Sequence, residues 1–145
     1  MSRSGYSDDL DGAELNRWRN AVEAAIAGKR GQAMLRDMLE ALDAMPVKEL
    51  IQGELVDDDG RFCALGALGA KRGIDMTSFD GYDSDDLGRA FKIARELAAE
   101  VAFQNDECGP STWFYEDNVR KTREPERPAE CWVRMRKWVA DRVKA

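Results

Sequence analysis

The stretch Cys63-Ala64-Leu65-Gly66-Ala67-Leu68-Gly69-Ala70 decides how the chain is read. It carries no charge, and its two glycines stand three apart, on one side of a helical turn. Glycine lowers helix stability by about 1 kcal/mol relative to alanine, so a helix here must gain from packing what it lacks in propensity. Small residues on one side let another backbone approach closely. The stretch is expected to be a short, buried, central helix that stops at Gly73, with longer amphipathic helices built around it.

On the N-terminal side, Asp11 and Glu14 have capping-box spacing, and Leu15, Trp18, Val22, Ala25 and Ile26 recur at helical spacing. Gly28 ends this helix near Ala27, and Gly28-Lys29-Arg30-Gly31 reads as a four-residue turn. Met34, Leu35, Met38, Leu39 and Leu42 form the stripe of a second helix, which stops by Pro46 because the residue before proline avoids the helical region. The short turn favours an antiparallel helical hairpin. Glu54-Leu55-Val56 and Arg61-Phe62-Cys63 flank Asp57-Asp58-Asp59-Gly60 and read as a short β-hairpin with an Asp-Gly turn.

On the C-terminal side, residues 74–83 read as a loop and Ser84 as an N-cap. Leu87, Ala90, Phe91, Ala94, Leu97, Ala98 and Val101 then share one face of a single long helix over about 85–104. Residues 105–124 lack periodicity and read as a long loop holding Trp113-Phe114-Tyr115. A last helix begins between Pro125 and Pro128 and runs to about Val143, with Trp132, Met135, Val139 and Val143 inward and Arg134, Lys137 and Lys144 opposite. The fold class is therefore mainly α. A single-domain helical bundle of four to five helices over residues 11–145, with one short β-hairpin, follows a flexible N-terminal arm over residues 1–10.

Composition narrows the chemistry. The chain has 145 residues, 22 Lys+Arg against 28 Asp+Glu, three cysteines and no histidine. Without histidine, mechanisms built on imidazole are excluded, from the Ser-His-Asp triad to two-His metal sites. Cys63, Cys108 and Cys131 are far apart and form no CxxC, which predicts neither disulfide nor zinc and suits a reducing cytoplasm. No apolar run approaches the ~20 residues of a membrane helix. The charge is uneven: Ser111 to Ala145 carry nine basic and six acidic residues, on a chain whose net charge is -6.

Four segments resemble a group of small bacteriophage and prophage proteins: Ala41-Leu42-Asp43-Ala44-Met45-Pro46, Cys63-Ala64-Leu65-Gly66-Ala67, Asn105-Asp106-Glu107 and Trp132 to Val139. The resemblance spans roughly residues 17–142. It implies a phage or prophage origin and brings no activity with it. Its pattern residues are Cys63, Gly66, Asn105 and Asp106.

Each candidate site has a structural alternative. Cys63 at a helix N-terminus, with Asn105-Asp106, could form a nucleophilic centre; the structural reading is a small buried residue and a chain-turning pair. Asp57–Asp59 and Asp80, Asp83, Asp85 and Asp86 suit turns and caps better than a cation site. Gly28–Gly31 could hold a phosphate at a helix start, or simply turn the chain. Trp113, Phe114 and Tyr115 are the foremost binding residues, because aromatic clusters at a surface anchor interfaces, with Arg134 and Lys137 steering an acidic partner. The expectation is a cytoplasmic accessory protein that binds a host or defence protein, with no enzymatic activity, cofactor, metal or membrane. The alternatives are a nucleic-acid-binding module using the basic last helix and a cysteine-dependent enzyme centred on Cys63.

Overall fold

A computed structural model describes Arg3 and residues 12–145. The Asp11 cap and most of the expected N-terminal arm lie outside the described residues. In order, the elements are α1 (Gly12–Ala27), α2 (Lys29–Ala44), α3 (Ala64–Lys71), a 3-10 turn (Met76–Ser78), α4 (Ser84–Phe91), α5 (Arg95–Glu107), the strands β1 (Trp113–Glu116) and β2 (Val119–Thr122), and α6 (Pro128–Arg142). The fold is mainly helical, and the six α-helices among the described residues exceed the four or five expected.

α3 sits at the centre, packed on α2, α5 and the 3-10 turn; α2 also carries α6, and α5 carries α1 and α4. All six residues from Ala64 to Gly69 are buried. A β-carbon on Gly66 would lie 2.0 Å from the Leu55 carbonyl oxygen, and one on Gly69 would lie 2.0 Å from Met76 Sδ. These are the close approaches that the glycine spacing predicts. The helix is followed by Gly73, whose φ of 72° favours glycine. Around α3, Met34, Leu35, Met38, Leu42, Leu65, Leu68, Phe91, Leu97 and Met135 make a continuous apolar core.

Three expectations are corrected. First, the four-residue turn at 28–31 is a single residue: α1 ends at Ala27 and α2 starts at Lys29. Gly31 belongs to the first turn of α2, where a β-carbon would lie 1.9 Å from the Ala25 carbonyl oxygen. Second, the long helix over 85–104 is two helices. Lys92 takes a left-handed conformation (φ 58°) as the C-cap of α4, and Ala94 is the N-cap of α5. Gly88 lets the chain fold back there, its β-carbon position only 3.0 Å from the Ile93 carbonyl oxygen. The N-cap of α4 is Asp83, which accepts from the Asp86 amide at 3.0 Å, not Ser84.

Third, the β-structure lies elsewhere. Segments 54–56 and 61–63 form no strands and share one isolated bridge, Val56 with Phe62. The Asp57 carboxylate holds this turn by accepting from the amides of Asp59 and Arg61. The antiparallel hairpin is β1–β2, inside the stretch read as a loop. Its turn is Asp117-Asn118, both at positive φ (53° and 64°), as a two-residue hairpin turn of the primed type requires.

Candidate functional site

Cys63, Asn105 and Asp106, separated by some forty residues, meet where the start of α3 abuts the last turn of α5. Asn105 is buried and organises the junction. Its Oδ1 accepts from the Ala64 amide at 3.1 Å, one of the amides that the start of a helix leaves without a partner. Its Nδ2 donates to the Ile51 carbonyl at 2.9 Å and to Asp106 Oδ1 at 2.9 Å. Its own carbonyl accepts from Gln52 Nε2 and Arg134 Nη2. Cys63 is the N-cap of α3, and its Sγ accepts from the Gly66 amide at 3.4 Å. An oxygen-bearing side chain is the usual choice there; sulfur takes that place in this chain.

Into this junction comes Arg3, with a side chain 1% exposed. Nε donates to Asp106 Oδ2 and Nη2 to Asp106 Oδ1, both at 2.7 Å, and Nη1 reaches Cys63 Sγ at 3.5 Å. This is the two-pronged arginine–carboxylate geometry that makes the strongest charge-assisted hydrogen bonds. Burial alone would raise the Asp106 pKa. The hydrogen bonds and charge of Arg3, with Asn105 and the Gly53 amide, outweigh it and hold the group below its ordinary value. Burial likewise works against the charge on Arg3, and Asp106 and Cys63 more than offset it. The arrangement fixes a carboxylate and a thiol on one guanidinium. Cys63 is fully buried, and no imidazole exists to serve as its base.

Of the other cysteines, Cys131 is buried beside the Asn105 carbonyl at 3.6 Å, and burial pushes its thiol up to about 12. Cys108 is half-buried and is raised, first by desolvation and then by the Glu100 charge.

Trp113, Phe114 and Tyr115 stand on β1, away from this junction. Trp113 is 47% exposed, Tyr115 66% and Val119 56%, while Phe114 is half-buried. The rings are held by each other and by arginines. Trp113 meets Tyr115 edge-on at 5.9 Å, Arg120 lies over Trp113 at 5.1 Å, and Arg123 lies over Phe114 at 4.3 Å.

Arg134 and Lys137 are placed differently from one another. Lys137 is exposed and pairs with Asp141. Arg134 does not project from a solvated face: it donates to both oxygens of Glu126 at 2.7 and 2.9 Å, and to the carbonyls of Gln104 and Asn105. Glu126 first of all raises its pKa.

The acidic runs serve as turns and caps. Asp57, Asp75, Asp80 and Asp83 each accept from a backbone amide a few residues on. Among the described residues no group of three His, Cys, Asp or Glu side chains is placed to hold a metal ion, and no helix is long and apolar enough to cross a membrane. Near the start of α2, Arg30, Arg89, Lys92 and Arg95 line a cleft of about 540 Å³ together with Asp85; Arg89 pairs with Asp86, and Arg95 with Asp85 and Glu96. Sequence reasoning missed Arg3, Gln52 and Glu126. Arg3 alone leaves a trace, as the single cation in the otherwise neutral or acidic first twelve residues.

A family model described as "Family of unknown function (DUF6197)" matches residues 27–127. That span contains Cys63, Gly66, Asn105, Asp106 and the hairpin, while Arg3, Cys131 and Arg134 fall outside it. No curated protein and no solved structure matches the chain.

Proposed function

We propose that this chain, which belongs to the DUF6197 family of unknown function, acts by binding a partner protein through the hairpin Trp113–Thr122. The observation that carries this reading is the exposure of the hairpin. Phe114 alone of its ten residues is half-buried and the rest are exposed, three of them large and apolar. A two-stranded hairpin is marginal in water without a third surface to lean on. A partner that covers Trp113 and Tyr115 supplies that surface, and aromatic side chains are the usual anchors of such contacts. Arg120 adds exposed positive charge for an acidic rim, while Lys121, Lys137 and Arg134 are paired with Glu116, Asp141 and Glu126. The resemblance to bacteriophage and prophage proteins makes a host or defence protein in the bacterial cytoplasm the natural target. The mechanism is occlusion rather than catalysis, which agrees with a Cys63 thiol enclosed under Arg3.

The test is a side-by-side affinity purification from the host cell, using the full chain and its Trp113→Ala/Tyr115→Ala variant. A partner retained by the first and lost by an equally stable second is the expected result. Identical retained proteins would overturn the reading. A nucleic-acid partner is the second reading, favoured by the cationic cleft around Arg30. It requires a complex that weakens steeply with salt.

A further inference from the structure

The Asp106 junction is a socket built for one guanidinium. All three guanidinium nitrogens of Arg3 are engaged, two by Asp106 and one by Cys63 Sγ. A lysine has a single nitrogen and cannot reproduce this fork. The wall is cut to the side chain as well: a β-carbon on Gly81 would lie 3.2 Å from Arg3 Cδ, so only glycine leaves the stem its ordinary clearance.

The socket is made without Arg3. Asp106 is aimed by the Gly53 amide at 3.1 Å and by Asn105 Nδ2, and Cys63 by the Gly66 amide. All of these groups lie between residues 53 and 106, inside the span that the family model matches. The occupant comes from outside that span, 103 residues away from Asp106 in sequence. Beside the socket, and sharing Gly53 and Gly81 with it, runs a cleft of about 380 Å³ that Glu54, Asp57, Asp58 and Asp80 make acidic. The residues next to Arg3 in sequence, Ser2, Ser4 and Gly5, carry no charge to match it.

From this geometry we propose that the socket is a receptor for a single arginine side chain, which Arg3 fills in cis, and that an arginine in a basic segment of a partner protein is its other occupant. The acidic cleft accommodates the residues flanking that arginine. Withdrawal of Arg3 uncovers the Asp106 carboxylate and the Cys63 thiol together, so Cys63 reports whether the socket is filled.

The experiment uses the full chain, alkylated with iodoacetamide and read peptide by peptide, so that Cys63 is followed apart from Cys108 and Cys131. In the Arg3→Ala variant Cys63 should react about tenfold faster than in the unaltered chain, because reactivity follows exposure. Adding about 10 mM L-argininamide, above the millimolar affinity a single fork can supply, should return Cys63 to slow labelling and raise the variant's thermal midpoint. L-lysinamide should do neither. Adding Asp106→Asn to Arg3→Ala should abolish the argininamide effect. If Arg3→Ala does not fold, Arg3→Lys, which keeps the stem and charge but loses the fork, is measured in the same way with the same expectation. Equal labelling in all chains overturns the proposal, as does equal protection by lysinamide or protection that survives Asp106→Asn. The hairpin is untouched throughout, so failure here leaves the Trp113–Tyr115 reading standing, and the reverse also holds.

Discussion

The junction around Asn105 and the hairpin at 113–122 lie a few residues apart in sequence and are built on opposite principles. At the junction, side chains from three separate segments bury their polar groups against one another. Arg3, Cys63, Asn105 and Asp106 are joined by hydrogen bonds within the group and to nearby backbone. In the hairpin, the partners of each side chain are its own neighbours: Arg120 on Trp113, Arg123 on Phe114, Lys121 on Glu116. Removing one group from the first network strands another in a low-dielectric interior, which costs far more than the bond itself was contributing. Removing a ring from the hairpin strands nothing. The junction therefore bears on the stability of the chain. The hairpin is free to vary without that cost, which is the condition a surface needs if its sequence is to be set by a partner.

The sharpest break in this contrast should come at Gly66. An alanine there places its β-carbon 2.0 Å from the Leu55 carbonyl oxygen, and that neighbour is backbone, not the tip of a flexible side chain. Either α3 or the 51–63 segment must move. The same Leu55 carbonyl accepts from the Cys63 amide at 3.2 Å, so the N-cap of α3 moves with it. Gly66→Ala should cost about 3 kcal/mol or more in urea unfolding, at the upper end of overpacking changes. A loss below about 1 kcal/mol would mean that the central helix is not tightly enclosed at that point.

Next in size is the acid limb of stability. The folded pKa of Asp106 lies below its unfolded value of about 3.9. A depressed carboxylate contributes stability that is fully present above the unfolded pKa and is lost as pH falls through the folded one. Asp106→Asn leaves the buried Arg3 facing a neutral amide, and should cost about 2 kcal/mol at pH 7, less than the 3–5 of a fully sequestered pair. The gap between the two chains should close below about pH 4. Asp43, Asp57, Asp75 and Glu130 are also depressed, but they titrate in both chains and cancel in the difference. A gap that stays constant from pH 7 to pH 2 would show that Asp106 acts through packing and not through its charge.

What could be read from the sequence divides along the same line. Local patterns held: the small-residue helix after Cys63, its end ahead of Gly73, the stop after Ala44 ahead of Pro46, and a last helix that starts within Pro125–Pro128. Each is set by neighbours a few residues away. The break at Lys92 was hidden because Leu87 and Phe91 of α4 and Leu97, Ala98 and Val101 of α5, all buried, keep helical spacing across the turn. The hairpin was hidden for the converse reason. With no buried face, Trp113 to Tyr115 show no alternation, and the signal that remained was an Asp117-Asn118 pair able to adopt positive φ. Arg134 lies opposite Val139 on a helical wheel and reads as solvated, yet Glu126 folds back from before the helix and encloses it. For Arg3, no spacing rule connects position 3 to position 106. The pattern residues Cys63, Asn105 and Asp106 were legible as a set, but the guanidinium that unites them was not.

The smallest effect on stability is expected at the hairpin. Trp113 and Tyr115 alternate with Phe114 along β1, so they share a face, and both are about half exposed or more in the free chain. Truncating them removes an edge-on ring contact and the cation over Trp113. Both are surface interactions that the helical body does not use. Trp113→Ala/Tyr115→Ala should therefore shift the unfolding free energy by no more than about 0.5 kcal/mol, the usual range for surface changes away from caps and cores. Amide signals from 113–122 should lose dispersion, while those of Asn105 and the α3 amides stay in place. A loss above about 1 kcal/mol would show that the hairpin leans on the body after all. Its aromatic face would then be accounted for by packing, and the contrast with the Asn105 junction would collapse.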